Sequence, residues 1–505
     1  MSTSCAESIA RAGSVLAAST LLVTAAPFAA ADAVPVELLD PNLQVTTWIG
    51  AGLDEPIGIA FIGAGDALIL EKSTGLVKRA TRGVVQAAPV LDLAVNSNSE
   101  RGLLGIALHP DFPAVPFVYL RWTESSTGLD TTVVSEVPLL GNRVDRFIWD
   151  GASLRLDPNF RTVYLRARQT DNLPVRGHED AVNPGEAGDH NGGPLRFGPD
   201  GKLYVFTGDL GRRGHMQNLP IGPFERPPSR DDTYGGPAAD SAHLSGVVQR
   251  LNDDGSTPRD NPFWFVGALI GGDTGRSIQT VYSYGYRNGF GMAFDPYSSY
   301  LWLTENGDDS FSELNRVVPG MNGGWIQNMG PLSRVAEFKQ IETTMFARAL
   351  GQLRYPPTRI ADSARTARAR MVMLPGARYV DPQFSWRYEV GPAGAAFVRG
   401  NALGADNRGS LWIGSGVSNA PTRASGGSLY RLRLTSDRLA VDLSADARLA
   451  DKVADNLAKF DPLESETLLV GRGFGVTPAI EQGPDGNLYV VSLSDGVVYR
   501  ISRAP

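Results

Sequence analysis

Short runs of alternating apolar and polar residues recur along the chain, each introduced by a turn. The clearest is FGPDGKLYVFTGD from Phe197, and QGPDGNLYVVSLSDG from Gln482 is a near copy. In both, Pro-Asp-Gly sets a turn, and the alternation after it predicts a half-buried strand. Looser copies are FIGAGDALILEKSTG at Phe61, LHPDFPAVPFVYLRWT at Leu108, FDPYSSYLWLTENGDD at Phe294 and LGADNRGSLWIGSG at Leu403. Apolar strands rich in small residues precede them, such as PIGIAF, GLLGIAL, GFGMAF and GPAGAAF. Repeated strand–turn–strand units predict an all-β fold, a six-bladed β-propeller. Their spacing of roughly 75 residues exceeds that of compact propeller repeats, so the excess falls in long loops. A parallel β-helix also repeats, but at a much shorter period.

Two stretches break this pattern. Residues 332–373, between the fourth and fifth repeats, are rich in helix formers and lack strand alternation, which predicts a helical insertion from one blade edge. SADARLADKVADNLAKF, from Ser444 to Phe460, is rich in alanine and charge and also reads as a helix. At the other end, LQVTTWIG from Leu43 has no partner nearby. It is expected to pair with GVVYRISR of the last repeat and close the ring.

Composition narrows the picture. Of 505 residues, 42% are hydrophobic and 20% charged, as in globular proteins, while 57 glycines and 34 prolines favour short strands and many turns. A net charge of −7 argues against nucleic acid or an anionic membrane as partner. Arg11, an apolar run from Val15 to Thr24 and the small residues Ala29–Ala31 have the layout of a secretory signal peptide. Residues 1–31 are therefore the expected leader and 32–505 the propeller, periplasmic or secreted. The apolar run is too short for stable membrane insertion. The single cysteine, Cys5, lies in the leader, so the mature chain has no disulfide or thiol chemistry.

In a propeller, loops entering the innermost strands converge at one end of the axis. Four such segments are polar: NSNSERGLLG, GDHNGGPLRF, YGYRNGFGMAF and TENGDDSFSELN. His190 is one of five histidines, and its glycine-rich loop is suited to projecting it into the axial cavity, with Gly192 and Gly193 admitting a ligand close to the backbone. Asp189 is placed to raise its basicity or fix its tautomer. His190 is then either a general base for a hydroxyl proton or a structural histidine bonded to a neighbouring loop.

Five segments, in order, resemble the soluble quinoprotein glucose/sorbosone dehydrogenases. They are SERGLLGIALHPDF, DHNGGPLRFGPDGKLYV, VVQRLNDDGSTPRDNPF, VYSYGYRNGFGMAFDP and SELNRVVPGMNGGW. The resemblance implies a propeller that holds pyrroloquinoline quinone (PQQ) and calcium (Ca2+) on its axis and oxidises an aldose at the anomeric carbon. It makes His190 the base and Arg287 the group that stabilises charge on the reduced quinone. Asn288 would bond the cofactor, and the carbonyls of Gly307 and Asp308 would bind calcium. Glu100, Asp189 and Asn191 are candidate contacts to the sugar.

The sequence also departs from the family pattern. Val476 and Pro478 stand where the family has a basic pair that grips cofactor carboxylates; Arg472 is nearby but out of register. Arg423, in a lengthened loop, is the cation offered instead of a lysine. Two other readings stay open: a lactonase with Asn191, Asn288 and Asp308 around an axial calcium, and an exported binding propeller without turnover. No Cys-x-x-Cys-His is present, so electrons from a dehydrogenase would pass to a separate acceptor.

Overall fold

The structure, a computed structural model, describes residues 35–138, 140–165, 167, 188–210, 245–342, 361–416 and 427–505. The expected leader and Arg423 lie outside these. Residues Ala33–Pro505 form one compact unit, and its described strands make an all-β propeller fold.

Six sheets succeed one another along the chain. Their innermost strands are Pro56–Gly63, Leu103–Leu108, Leu195–Phe197, Met292–Phe294, Pro392–Phe397 and Ala479–Gln482. Each innermost strand packs beside that of the next sheet, and the sixth packs against the first. Every repeated turn in the sequence joins the innermost strand of a sheet to its second strand.

Face-to-face stacking buries the second strands on both sides. Leu203–Thr207, Leu301–Glu305, Leu411–Ser415 and Leu488–Ser492 are buried at every residue. Trp302, Trp386 and Trp412 fill the space between sheets without exposure. The small residues of the innermost strands have a steric cause. A Cβ on Gly105 would sit 2.1 Å from the Gly193 carbonyl of the next sheet, so a side chain there would force two blades apart.

Leu43–Ile49 pairs antiparallel with Val497–Arg503 as the outermost strand of the sixth sheet. The expected ring closure is therefore present. Glu37–Leu38 adds to the edge of the fifth sheet, at Gly471 and Arg472.

The described part of the insertion holds short helices at Leu332–Arg334, Val335–Gln340 and Ala364–Arg370. Ser363 caps the last by accepting from Thr366 N. The chain leaves the third strand of the fourth sheet, Ser310–Val317, and returns to its fourth, Phe384–Tyr388. Between those two strands the chain adds Met321–Asn322 and Arg378–Tyr379 to the edge of the third sheet, and the insertion lies between this short pair.

Two expectations need correction. Ser444–Phe460 is not a helix. It holds one short 3-10 turn at Ala447–Leu449, then Val453–Ala454 pairs parallel with Ser385–Trp386 of the fourth sheet. Conversely, helices at Trp264–Ile270 and Gly272–Thr280 were not expected from WFVGALIGGDTGRSIQT, whose glycines disfavour helix. Among the described residues, no helix is long and apolar enough to cross a membrane.

Candidate active site

Loops at one end of the axis enclose a cavity of about 490 Å3. Glu100, His190, Arg287, Gly391 and Val476 line it, each from the segment that enters a different sheet's innermost strand, and Ile57 from the start of the first sheet's innermost strand. Asp189, Asn288, Gly307, Asp308 and Lys72 also face it.

His190 sits at φ +56°, in the left-handed region, with its ring buried. Its amide donates to Glu100 Oε2 at 2.7 Å, and its carbonyl accepts from Leu210 N at 3.2 Å. Nδ1 lies 2.5 Å from Asp209 Oδ1, and Asp209 Oδ2 accepts from Trp325 Nε1 at 2.8 Å. Asp209 thus takes Nδ1, leaving Nε2 as the nitrogen for chemistry on the cavity side. Burial and the Arg287 charge push the imidazole pKa down, but Asp209 and Glu100 outweigh them and hold it above its ordinary value. Asp209 is itself buried, yet His190 and Arg287 hold its pKa below the usual carboxylate value.

Arg287 approaches from the next sheet. Nη1 donates to the carbonyls of Asn306 at 3.1 Å and Gly307 at 2.7 Å, and Nη2 to Asp308 Oδ1 at 2.5 Å. Burial opposes its charge, but Asp308, Asp209, Glu389 and Glu342 prevail and keep the guanidinium protonated. Its Nε is buried without a partner, as is Asn288 Oδ1. Asn288 Nδ2 donates to Glu100 Oε2 at 3.0 Å. Burial raises the Glu100 carboxyl above its ordinary pKa and lowers the Lys72 ammonium below its own.

These residue identities and their order match a known family. The model for "Glucose / Sorbosone dehydrogenase" matches residues 53–152 and 178–331, together just over half of the chain. The chain belongs to the glucose/sorbosone dehydrogenase family. It is 28% identical over 260 residues to quinoprotein glucose dehydrogenase B of Acinetobacter calcoaceticus, covering 51% of this chain and 47% of that protein. It is 28% identical over 275 residues to an aldose sugar dehydrogenase of Escherichia coli, covering 54% and 59%. The chain thus matches about half the length of these curated relatives. The PQQ-bound aldose sugar dehydrogenase from Streptomyces coelicolor shares the fold, with a TM-score of 0.53 at 21% identity over 91% of this chain and 98% of that one.

A glucose/sorbosone dehydrogenase cofactor can be tested against these residues. The cavity has the volume of a small-molecule site. The orphaned Arg287 Nε and Asn288 Oδ1 offer an unmet donor and acceptor on the residues expected to meet the quinone, and buried polar atoms without partners call for a ligand. This side of the cavity fits the group. Val476 and Pro478 do line the cavity, so the missing basic pair leaves an apolar wall there.

Calcium does not fit the arrangement. The Gly307 carbonyl accepts from Arg287, and the Asp308 carbonyl accepts from Lys459 Nζ at 2.8 Å. Calcium takes six to eight oxygen ligands, and both oxygens assigned to it already face cations. Among the described residues, no group of three or more His, Cys, Asp or Glu is arranged to hold a metal. The lactonase arrangement fails for related reasons. Asp308 is paired with Arg287, and Asn191 is not on the cavity wall. Asn191 holds the loop instead, donating to Gly188 O and accepting from Asn142 Nδ2, which also removes it as a sugar contact.

Two local readings change as well. The partner of His190 Nδ1 is Asp209, whereas Asp189 accepts from Ser99 Oγ on the facing loop. Gly192 and Gly193 serve packing: a Cβ there would lie 2.8 Å from Phe206 O or 3.1 Å from Leu104 O. Sequence reasoning missed Asp209, Trp325, Lys72 and Lys459. Asp209 had a visible signal, since it ends the same repeat that His190 precedes.

Proposed function

We propose that the chain is an exported, quinone-dependent sugar dehydrogenase that oxidises an aldose at its anomeric carbon. Its six sheets act as six blades around the site. The observation that carries this reading is the His190–Asp209 pair opening onto a cavity that also holds Glu100, Asp189 and the unpartnered atoms of Arg287 and Asn288.

Glu100 and Asp189 accept hydrogen bonds from the sugar hydroxyls and set the anomeric hydroxyl against His190 Nε2. Neutral His190 takes that hydroxyl proton as the carbon–oxygen bond becomes a carbonyl and the product a lactone. Asp209 keeps Nδ1 protonated and stabilises the imidazolium that forms. PQQ, when bound, supplies the acceptor for the hydride that leaves the anomeric carbon. Arg287 and Asn288 would hold that group, and the Arg287 charge would stabilise negative charge beside it. The electrons would leave to a separate acceptor. The basic, apolar and small-residue succession of the first 31 residues supports a periplasmic or secreted location.

The test is titration of PQQ into the purified protein, followed by sugar. Optical change on titration and its reversal by an aldose are expected. Binding without reversal supports the binding propeller, and failure to bind sinks the dehydrogenase reading.

A further inference from the structure

The turn Asn306–Ser310 has its polar backbone groups spent on charged side chains. Three successive carbonyls face cations: those of Asn306 and Gly307 accept from Arg287, and that of Asp308 from Lys459. The next two amides face a buried carboxyl group, with Asp309 N and Ser310 N each donating to Glu342 Oε1 at 3.0 Å. Lys459 Nζ also lies 2.5 Å from Asp309 Oδ1, a carboxylate with no exposure.

Lys459 is not placed there by a mobile side chain alone. Its segment is a strap that leaves the fifth sheet, pairs with the fourth at Val453–Ala454 and returns. The buried Asn456 clamps the strap. Its Oδ1 accepts from Tyr388 N at 2.7 Å, and its Nδ2 donates to the carbonyls of Tyr388, Ala458 and Asp461. Phe460 N then donates to Glu389 O at 2.7 Å, and the Phe460 ring lines the cavity. The ammonium is therefore delivered to the turn by fixed backbone on both sides.

We propose that Lys459 is a built-in monovalent replacement for a divalent ion. It ties down the turn beside the cavity and bars calcium from it, so this chain's site is metal-independent. A dication bound to these carbonyls would have to sit against both Arg287 and Lys459, while Asp309 is already neutralised by Lys459. Like charges this close repel strongly where water is scarce. Removing the ammonium takes away the cation bonded to the Asp308 carbonyl and to the buried Asp309 carboxylate, which is the beginning of a calcium site.

Calcium titration of chelator-stripped full-length protein tests this without quinone or sugar, so its failure leaves the dehydrogenase reading standing. Calorimetry and thermal melts are run on wild type and Lys459→Met. Wild type is expected to release no binding heat and to melt alike in calcium and in chelator. Lys459→Met is expected to bind calcium at least about tenfold more tightly and to melt higher in its presence. Should Lys459→Met not fold, Lys459→Gln makes the same comparison. One tight calcium per wild-type chain would overturn the proposal, as would variants that bind calcium no better than wild type.

Discussion

Nδ1 of His190 and Oδ1 of Asp209 lie 2.5 Å apart, joining a loop residue to the end of the second strand of its own sheet. Trp325 Nε1 holds the other oxygen of Asp209, so the carboxylate cannot turn away from the ring. The pair fixes both the tautomer of His190 and its charge balance.

Asp209→Asn removes a charge that raises the His190 pKa. The acid limb of the pH–rate profile, which follows deprotonation of the base, should move to lower pH. Turnover should fall on the order of 10²–10⁴-fold, because an amide does not stabilise the imidazolium. A profile that keeps its acid limb would separate Asp209 from the base.

His190→Gln retains size and polarity but takes no proton near neutral pH. Turnover should drop by roughly 10²–10⁴-fold, while quinone affinity changes little. Stopped-flow reduction of bound quinone, alongside a binding titration, distinguishes the two effects.

Restoring the basic pair as Val476→Arg plus Pro478→Arg places two cations on the apolar wall of the cavity. Each charge-assisted hydrogen bond is worth about 1.5–3 kcal/mol, so quinone binding should tighten by about a hundredfold or more. Equal quinone affinity in wild type and double variant would show that the cofactor's carboxylates do not reach this wall.

Stability should decline as pH rises from about 5 to 8. Burial lifts Glu313 and Glu389 to about 7 and Glu342 to about 8, so the folded state holds protons that the unfolded chain has released. A folded-state pKa above the unfolded one means stability present at low pH and lost as pH climbs through the window. His190, also raised, acts in the same direction. Melting temperature measured against pH gives the slope, and Glu342→Gln should flatten its upper part.

The repeated turns were legible because Pro-Asp-Gly and alternation are local signals, and each falls where an innermost strand meets its neighbour. His190, Arg287, Asn288 and Glu100 were legible because they are polar residues on loops entering innermost strands, whereas Asp308 lies on the turn between the second and third strands of the fourth sheet. Lys459 was hidden by composition. Its alanine- and charge-rich segment favours a helix locally, but strand pairing at Val453–Ala454 and the Asn456 clamp win through contacts distant in sequence. Trp325 reaches Asp209 across 116 residues, a separation at which no local pattern operates. The helices at Trp264–Thr280 escaped for the opposite reason: Phe265 and Leu269 are exposed, so no amphipathic stripe marks them.

Pairing of Leu43–Ile49 with Val497–Arg503 also sets a timetable. Leu43–Ile49, made early in the compact unit, waits for the last strand before it has a partner. A chain still being made therefore holds at most five finished sheets and an open ring, with the mouth of the cavity incomplete. Closing it costs the entropy of joining residues more than 400 positions apart, a cost that grows only slowly with separation. Activity should consequently appear in one step, when synthesis has passed the final strand, and not sheet by sheet.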